Sequence, residues 1–287
     1  VKIGVGNLGK GYKRWMGIDG EPQQNYLPLM EWAGTNELVV QQLNRKQQES
    51  KLIYCNVNDG RTRTFWAESN NTWVDLNADD PGGWNWINKG SEFIWVSEKD
   101  GWRHIYKISR DGRTETLLTK GNYDIDEIKC IDEARNYIYF TASPDNATQK
   151  YLYRVNIDKG NVVKQVLNAV QKVIDKISNT PDEPELVSAR NLLGTHNYDI
   201  SPTGKYAVHS FSNHNTPPVS EWISLPDNKP VNAAKSIAAT IKTDETNDVE
   251  YERIITADNI ILDAWINKPK NFDPEKKYPV VFYVYGE

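Results

Sequence analysis

Apolar residues along this chain come in runs of four to seven, broken by turn residues. That spacing predicts strands. Four runs repeat one another: Leu38-Val39-Val40, Phe93-Ile94-Trp95, Tyr137-Ile138-Tyr139 and Tyr206-Ala207-Val208, spaced by 55, 44 and 69 residues. Each follows a turn, at Asn36-Glu37, Gly90-Ser91, Arg135-Asn136 and Gly204-Lys205. Each precedes a second strand, at Leu52-Ile53-Tyr54, His104-Ile105-Tyr106, Tyr151-Leu152-Tyr153 and Trp222-Ile223-Ser224. Turns at Asp59-Gly60, Asp111-Gly112, Lys159-Gly160 and Pro226-Asp227-Asn228 close the pattern. Asn122-Tyr123-Asp124-Ile125 is echoed by Asn197-Tyr198-Asp199-Ile200.

Repeats of about 40–50 residues, each of about four short strands, predict propeller blades. One such sheet cannot bury both faces; stacked sheets can. The blades are expected around 27–70, 72–120, 121–160 and 195–240, within a partial propeller over 1–243. Four blades are few for a closed ring, so further blades are expected before Val1.

Two segments break the pattern. Val163, Val166, Leu167, Val170, Val173, Ile174 and Ile177 share one helical face, predicting a helical insertion over 161–180. It either packs on the outside of the propeller or meets a partner. After Asp244, alternation over 249–255 and 260–266 predicts a hairpin. A Pro-rich loop follows, and then the continuous apolar run Tyr278–Tyr285, expected as a buried strand of a parallel sheet. Residues 244–287 therefore read as a linker hairpin and the start of an α/β domain. The chain starts without Met and stops inside an apolar run, so it reads as a piece of a longer protein.

Composition narrows the function classes. The 287 residues carry 34 basic and 39 acidic side chains, net −5, which argues against a phosphate-binding surface. Ten Trp and fifteen Tyr give more aromatic surface than a solvating tail carries. No apolar run approaches the length of a membrane span. Two cysteines cannot make a disulfide framework; Cys55 and Cys130 sit in apolar alternation and read as core thiols, with a pair between them as the alternative.

Gly4-Val5-Gly6-Asn7-Leu8-Gly9 has the glycine spacing of a dinucleotide loop, but no amphipathic helix follows, so a Gly-rich hairpin is expected. His104, His196, His209 and His214 show no metal-binding spacing. His104 is expected at a blade edge and His196 in a loop. No Gly-x-Ser-x-Gly elbow occurs.

The stretch Trp95-Val96-Ser97-Glu98-Lys99-Asp100-Gly101-Trp102-Arg103-His104-Ile105-Tyr106 resembles a blade motif of the dipeptidyl peptidase IV branch of the prolyl oligopeptidase superfamily. So do Gly194-Thr195-His196-Asn197-Tyr198-Asp199-Ile200-Ser201-Pro202, Tyr26–Trp32, and Pro269–Val280, which resembles the entry to that branch's hydrolase domain. The resemblance implies part of an eight-bladed propeller capping an α/β-hydrolase that removes N-terminal dipeptides, often after Pro or Ala. Tyr285 matches the family's oxyanion-hole tyrosine, although Glu287 departs from the Gly usual in that turn. Trp73, Asn77 and Asp79 fall on the substrate-side loop, where Trp73 has inter-blade packing as its alternative. The nucleophile and its His and Asp partners are absent from these residues, so this chain alone is expected to be inactive.

The resemblance also implies a peptide partner with a free N-terminus, no cofactor, no nucleic acid, homo-oligomers and a periplasmic or secreted location. No signal peptide is read at the start. A non-catalytic propeller that binds a peptide or protein is the alternative function.

Overall fold

The computed structural model describes residues 2–75, 84–158, 184–189, 191–214, 216–237, 249–269 and 271–284. An N-terminal hairpin joins β1 (Gly4–Asn7) to β2 (Tyr12–Trp15). The glycine motif thus forms a hairpin, with no helix N-terminus for a phosphate.

Blade 1 contains β3 (Asn25–Tyr26), β4 (Met30–Trp32), β5 (Glu37–Asn44), β6 (Glu49–Asn56) and β7 (Thr62–Ser69); β3 and β4 both pair with β5. Blade 2 runs β8 (Trp84–Ile87), β9 (Glu92–Ser97), β10 (His104–Ser109), β11 (Glu115–Leu117). Blade 3 runs β12 (Ile125–Asp132), β13 (Tyr137–Ala142), β14 (Tyr151–Asn156), β15 (Glu185–Leu186). Blade 4 runs β16 (Thr195–Ile200), β17 (Tyr206–Asn213), β18 (Thr216–Ser224), β19 (Lys229–Pro230). All are antiparallel meanders. The helix expected over 161–180 lies outside the described residues, in the connection between β14 and β15.

Period-two alternation builds the stack, because successive side chains point to opposite faces of a sheet. On β9, Phe93 and Trp95 join Val39, Tyr54, Phe65 and Trp66 of blade 1 in one core. Their neighbours Ile94 and Val96 join Ile125, Ile138 and Phe140 of blade 3 in the next. Tyr139 and Leu152 then meet Tyr198, Ala207 and Ile223 of blade 4. Leu38, Val40 and Ile53 pack with Met16, and the partly buried Ile3 and Val5 of the N-terminal segment lie against them. Every core therefore lies between consecutive sheets. Each large side chain buried there contributes about 1.5–3 kcal/mol. Cys55 and Cys130 are free thiols, so the alternative of a bond between them is excluded.

The meander order sends alternate connections to opposite ends of the blades. One end carries short turns: 33–36, 57–61, 88–91, 110–114, 133–136, 201–205 and 225–228. These turns fasten neighbouring blades. Arg110 donates from Nη2 to Ala33 O (2.8 Å) and Glu37 Oε2 (2.9 Å), and from Nη1 to Gly90 O (2.9 Å). The Asn88 amide donates to Glu133 Oε2 at 2.7 Å. Arg135 Nη1 donates to Thr203 O at 2.9 Å.

The last hairpin pairs β20 (Val249–Ile255) with β21 (Ile261–Asn267), as expected. The strand expected over 278–285 does not form in the described part: Tyr278–Val284 has no ladder partner, and Val280–Val284 are each at least 70% exposed. A parallel strand needs hydrogen-bonded neighbours on its edges, and none is present among the described residues.

Candidate functional site

The other end carries the long connections 98–103, 118–124, 143–150 and 187–194 beside the short turn 45–48, with Trp73–Asp75 at the edge of the β7–β8 connection. Two clefts of about 620 Å³ each open there. Glu98, Trp102, Arg103, Tyr123, Asp124 and Asp145 line the first. Asn146, Leu193, Thr195, His214 and Tyr251 border the second. Arg253 and Asp263, paired across the hairpin at 3.3 Å, border both. Loops of blades 2 to 4 thus meet the last hairpin at one end of the stack.

Sequence chemistry accounts for how the loops of the first cleft are held. The β9–β10 loop is Glu98-Lys99-Asp100-Gly101-Trp102-Arg103. Gly101 turns it with φ +98°. Asp100 reaches back to His104 Nδ1 at 2.9 Å, pinning the loop to the buried start of β10. Burial opposes ionisation of Asp100, but the hydrogen bond and charge interaction with His104 outweigh it and hold the carboxyl low. The Arg103 amide donates to Asp124 Oδ1 (2.6 Å), and its Nη1 to Asp126 O (3.0 Å). Asp126 accepts from Lys150 Nζ (2.8 Å) and Thr141 Oγ1 (2.9 Å); those contacts overcome burial and lower its pKa.

Glu98 behaves differently. Burial pushes its pKa up, and the charges of Asp75 and Asp124 push it further, against the opposing pull of Arg103. The cleft is therefore rich in carboxylates, one of which is reluctant to ionise. Such a site favours a cation, because an ammonium group relieves the like-charge repulsion. Trp102, 38% exposed, offers an aromatic face at its wall.

Of the residues singled out from sequence, Trp73 lies at this end, 59% exposed. It borders a narrow crevice with Glu68, Asp75, Glu98 and Arg103. That exposure excludes it from the inter-blade cores. Asn77, Asp79 and Tyr285 lie outside the described residues. His104 and His196 depart from expectation: both are buried, His104 on the interior strand β10 and His196 within β16, the first strand of its sheet. Glu98, Trp102 and Asp124 were missed as site residues. Two were in plain view inside the quoted motif, and Asp124 in the Asn-Tyr-Asp-Ile echo. Among the described residues no cluster of three metal-ligating side chains occurs.

The model for the dipeptidyl peptidase IV (DPP IV) N-terminal region matches residues 1–218. Dipeptidyl peptidase 4 of Trichophyton equinum is 25% identical over 261 residues, covering 88% of this chain and 30% of that protein. Dipeptidyl peptidase 4 of Arthroderma otae is 27% identical over 262 residues, with the same coverage. The chain thus spans about 30% of the length of these curated relatives. Among solved structures, Porphyromonas gingivalis dipeptidyl peptidase 4 superposes with a TM-score of 0.75 at 22% identity, covering 97% of this chain and 36% of that one. A putative dipeptidyl aminopeptidase IV from Bacteroides ovatus gives 0.72 at 22% identity, covering 97% and 38%.

Proposed function

The chain belongs to the dipeptidyl peptidase IV N-terminal region family, and from that premise we propose that it is propeller and linker of a serine-type dipeptidyl peptidase. Its cleft end faces the catalytic domain and receives a peptide by its free N-terminus. One observation carries this reading. Loops of blades 2 and 3 bring Glu98, Asp124, Asp145 and Trp102 to one cleft bordered by Arg253 and Asp263 of the last hairpin. An unblocked peptide presents an ammonium group beside a short apolar side chain, which matches carboxylates set against an indole.

In this reading β20, β21 and the apolar run 278–285 begin the catalytic domain. Tyr285 donates to the developing oxyanion, a contact worth about 3–4 kcal/mol in comparable enzymes. Trp73, Asn77 and Asp79 flank the substrate. The nucleophile, its histidine base and the orienting acid come from the rest of the protein. Periplasmic or extracellular residence and homo-oligomeric assembly belong to the same proposal.

The test is hydrolysis of a Gly-Pro chromogenic amide by the full-length protein, with and without a serine-directed phosphonate. Turnover abolished by the phosphonate is the expected result. No turnover with any unblocked dipeptide amide, from folded full-length protein, would overturn it in favour of a propeller that only binds.

A further inference from the structure

Blade 4 buries a chain of titratable groups that the substrate cleft does not use. His196 on β16, His209 on β17 and Glu221 on β18 are all buried. Strand register aligns them: Glu221 lies directly opposite His209, and His196 one diagonal step away. His196 Nε2 meets Leu192 O at 2.7 Å. His196 Nδ1 meets His209 Nε2 at 2.8 Å, with the two ring planes 1° apart. His209 Nδ1 meets Glu221 Oε1 at 2.9 Å. The Ile237 amide donates to Glu221 Oε2 at 3.0 Å. Both nitrogens of both rings are engaged, so flipping either ring would forfeit two bonds.

Counting protons along this chain gives a definite result. A carbonyl oxygen only accepts, so His196 Nε2 carries a proton. The histidine–histidine link needs one proton, and so does the histidine–glutamate link. Three are required. Two neutral imidazoles supply two, and a carboxylate supplies none. The third proton is extra. Placed on His196, His209 or Glu221, it fills all three links, and the set has no net charge in each case. Without it, one link sets lone pair against lone pair, and a net negative charge is buried away from water.

We propose that His196, His209 and Glu221 share one retained proton at neutral pH and act as a pH-sensitive latch that fastens segment 231–237 to blade 4. That segment leads from β19 toward the last hairpin, and Ile237 is buried beside the blade. Its amide bond to Glu221 is its tie to the proton chain. Losing the proton sets one link lone pair against lone pair, and the side chains that this pushes apart carry Glu221 away from the Ile237 amide.

The surroundings agree. Burial pushes His196 down to about 4, which keeps it neutral and places the extra proton toward His209 and Glu221. Burial also disfavours charge on His209, while Glu221 pulls the other way; one proton held between them, with no net charge, satisfies both. Among the described residues, two phenols lie against the set. Tyr198 stacks on His209 at 4.5 Å between ring centres and bonds to Ser188, and Tyr151 lies 5.2 Å from His196. Burial raises both pKa values, so neither carries charge near neutrality.

The sign follows from linkage. In the unfolded chain an exposed carboxyl holds a proton only in the ordinary carboxylate range. In the folded chain the three links retain it above that range. The stabilisation is complete below the unfolded value and is lost as pH rises through the folded one. Glu221→Gln supplies its own N–H to His209 Nδ1 and an oxygen to Ile237, filling every link with no titrating proton. From urea midpoints of the full-length protein, the folded-to-unfolded ratio of wild type relative to E221Q falls about tenfold per pH unit between pH 5.5 and 7. A constant ratio over that window overturns the shared proton. Exchange at the Ile237 amide, corrected for intrinsic rates, accelerates at high pH in wild type more than in E221Q; equal protection overturns the latch. If E221Q does not fold, wild type labelled with ¹⁵N-histidine shows a hydrogen-bonded proton in both His209 links at pH 7, bonded to the ring nitrogen or coupled to it across the hydrogen bond, and absence of either overturns the proposal.

Discussion

The two ends of the blade stack are made of the same meander but answer to different physics. At the tight-turn end, each connection has only four or five residues, and neighbouring turns bond to each other. Gly112 illustrates the constraint. Its φ is +72°, and a Cβ there would run into the Phe65 carbonyl oxygen of the adjoining blade. At the cleft end, Gly101 has a similarly unusual φ of +98°, yet a Cβ would meet nothing within 4 Å. One glycine is needed for its turn and for blade contact, the other for its turn alone. The tight-turn end holds the stack together; the open end leaves room for a ligand.

Substitutions at matched positions sharpen this contrast. Gly112→Ala combines backbone strain with an inter-blade clash and should cost about 3 kcal/mol or more in urea unfolding. Arg110→Ala removes hydrogen bonds to two carbonyls and Glu37 and should cost about 1.5 kcal/mol; a cost below a few tenths would mean that these turns do not fasten blades 1 and 2. Gly101→Ala should cost only the strain, about 1 kcal/mol, so equal losses at Gly101 and Gly112 would erase the difference between the ends. Glu98→Gln should have the smallest effect on stability, and one that depends on pH. The raised pKa of Glu98 means that its folded state binds the proton more tightly than the unfolded state does. That advantage is present at pH 4 and lost as pH rises through the folded value, so E98Q should gain on wild type by pH 8 in a thermal-unfolding series. A variant that loses ground instead would show that the ionised carboxylate is held by a favourable partner.

The same contrast explains what the sequence made legible. Tight turns require Gly, Asn or Asp at fixed places, so Asp59-Gly60, Asp111-Gly112 and Arg135-Asn136 marked the repeat, and the strands around them fell into register. The cleft end has no such requirement. Its loops differ from blade to blade, and which acids converge depends on how the blades stack. Glu98 and Asp124 are 26 positions apart on different blades, and only folding makes them neighbours.

The echoed tetrapeptide shows how far context overrides local sequence. Asn122-Tyr123-Asp124 is a loop facing the cleft, whereas Asn197-Tyr198-Asp199-Ile200 lies within β16. The Asn and Asp there suggested a turn and put His196 in a loop. The alternating phase was the better signal: His196 and Tyr198 fall on the buried face, while Thr195, Asn197 and Asp199 fall on the exposed one. His104 was placed at an edge because nothing local indicates that β11 covers β10.

The central claim is that the open end, not the turn end, receives the peptide. It is tested most directly by steady-state kinetics of full-length Trp102→Ala and Arg110→Ala on an unblocked dipeptide amide. Trp102 lines the cleft and lies in none of the cores. The account predicts that W102A raises KM at least about fivefold, roughly 1 kcal/mol, with little loss of stability, whereas R110A loses stability and keeps its KM. An unchanged KM in W102A, or equal KM effects at the two ends, would contradict it.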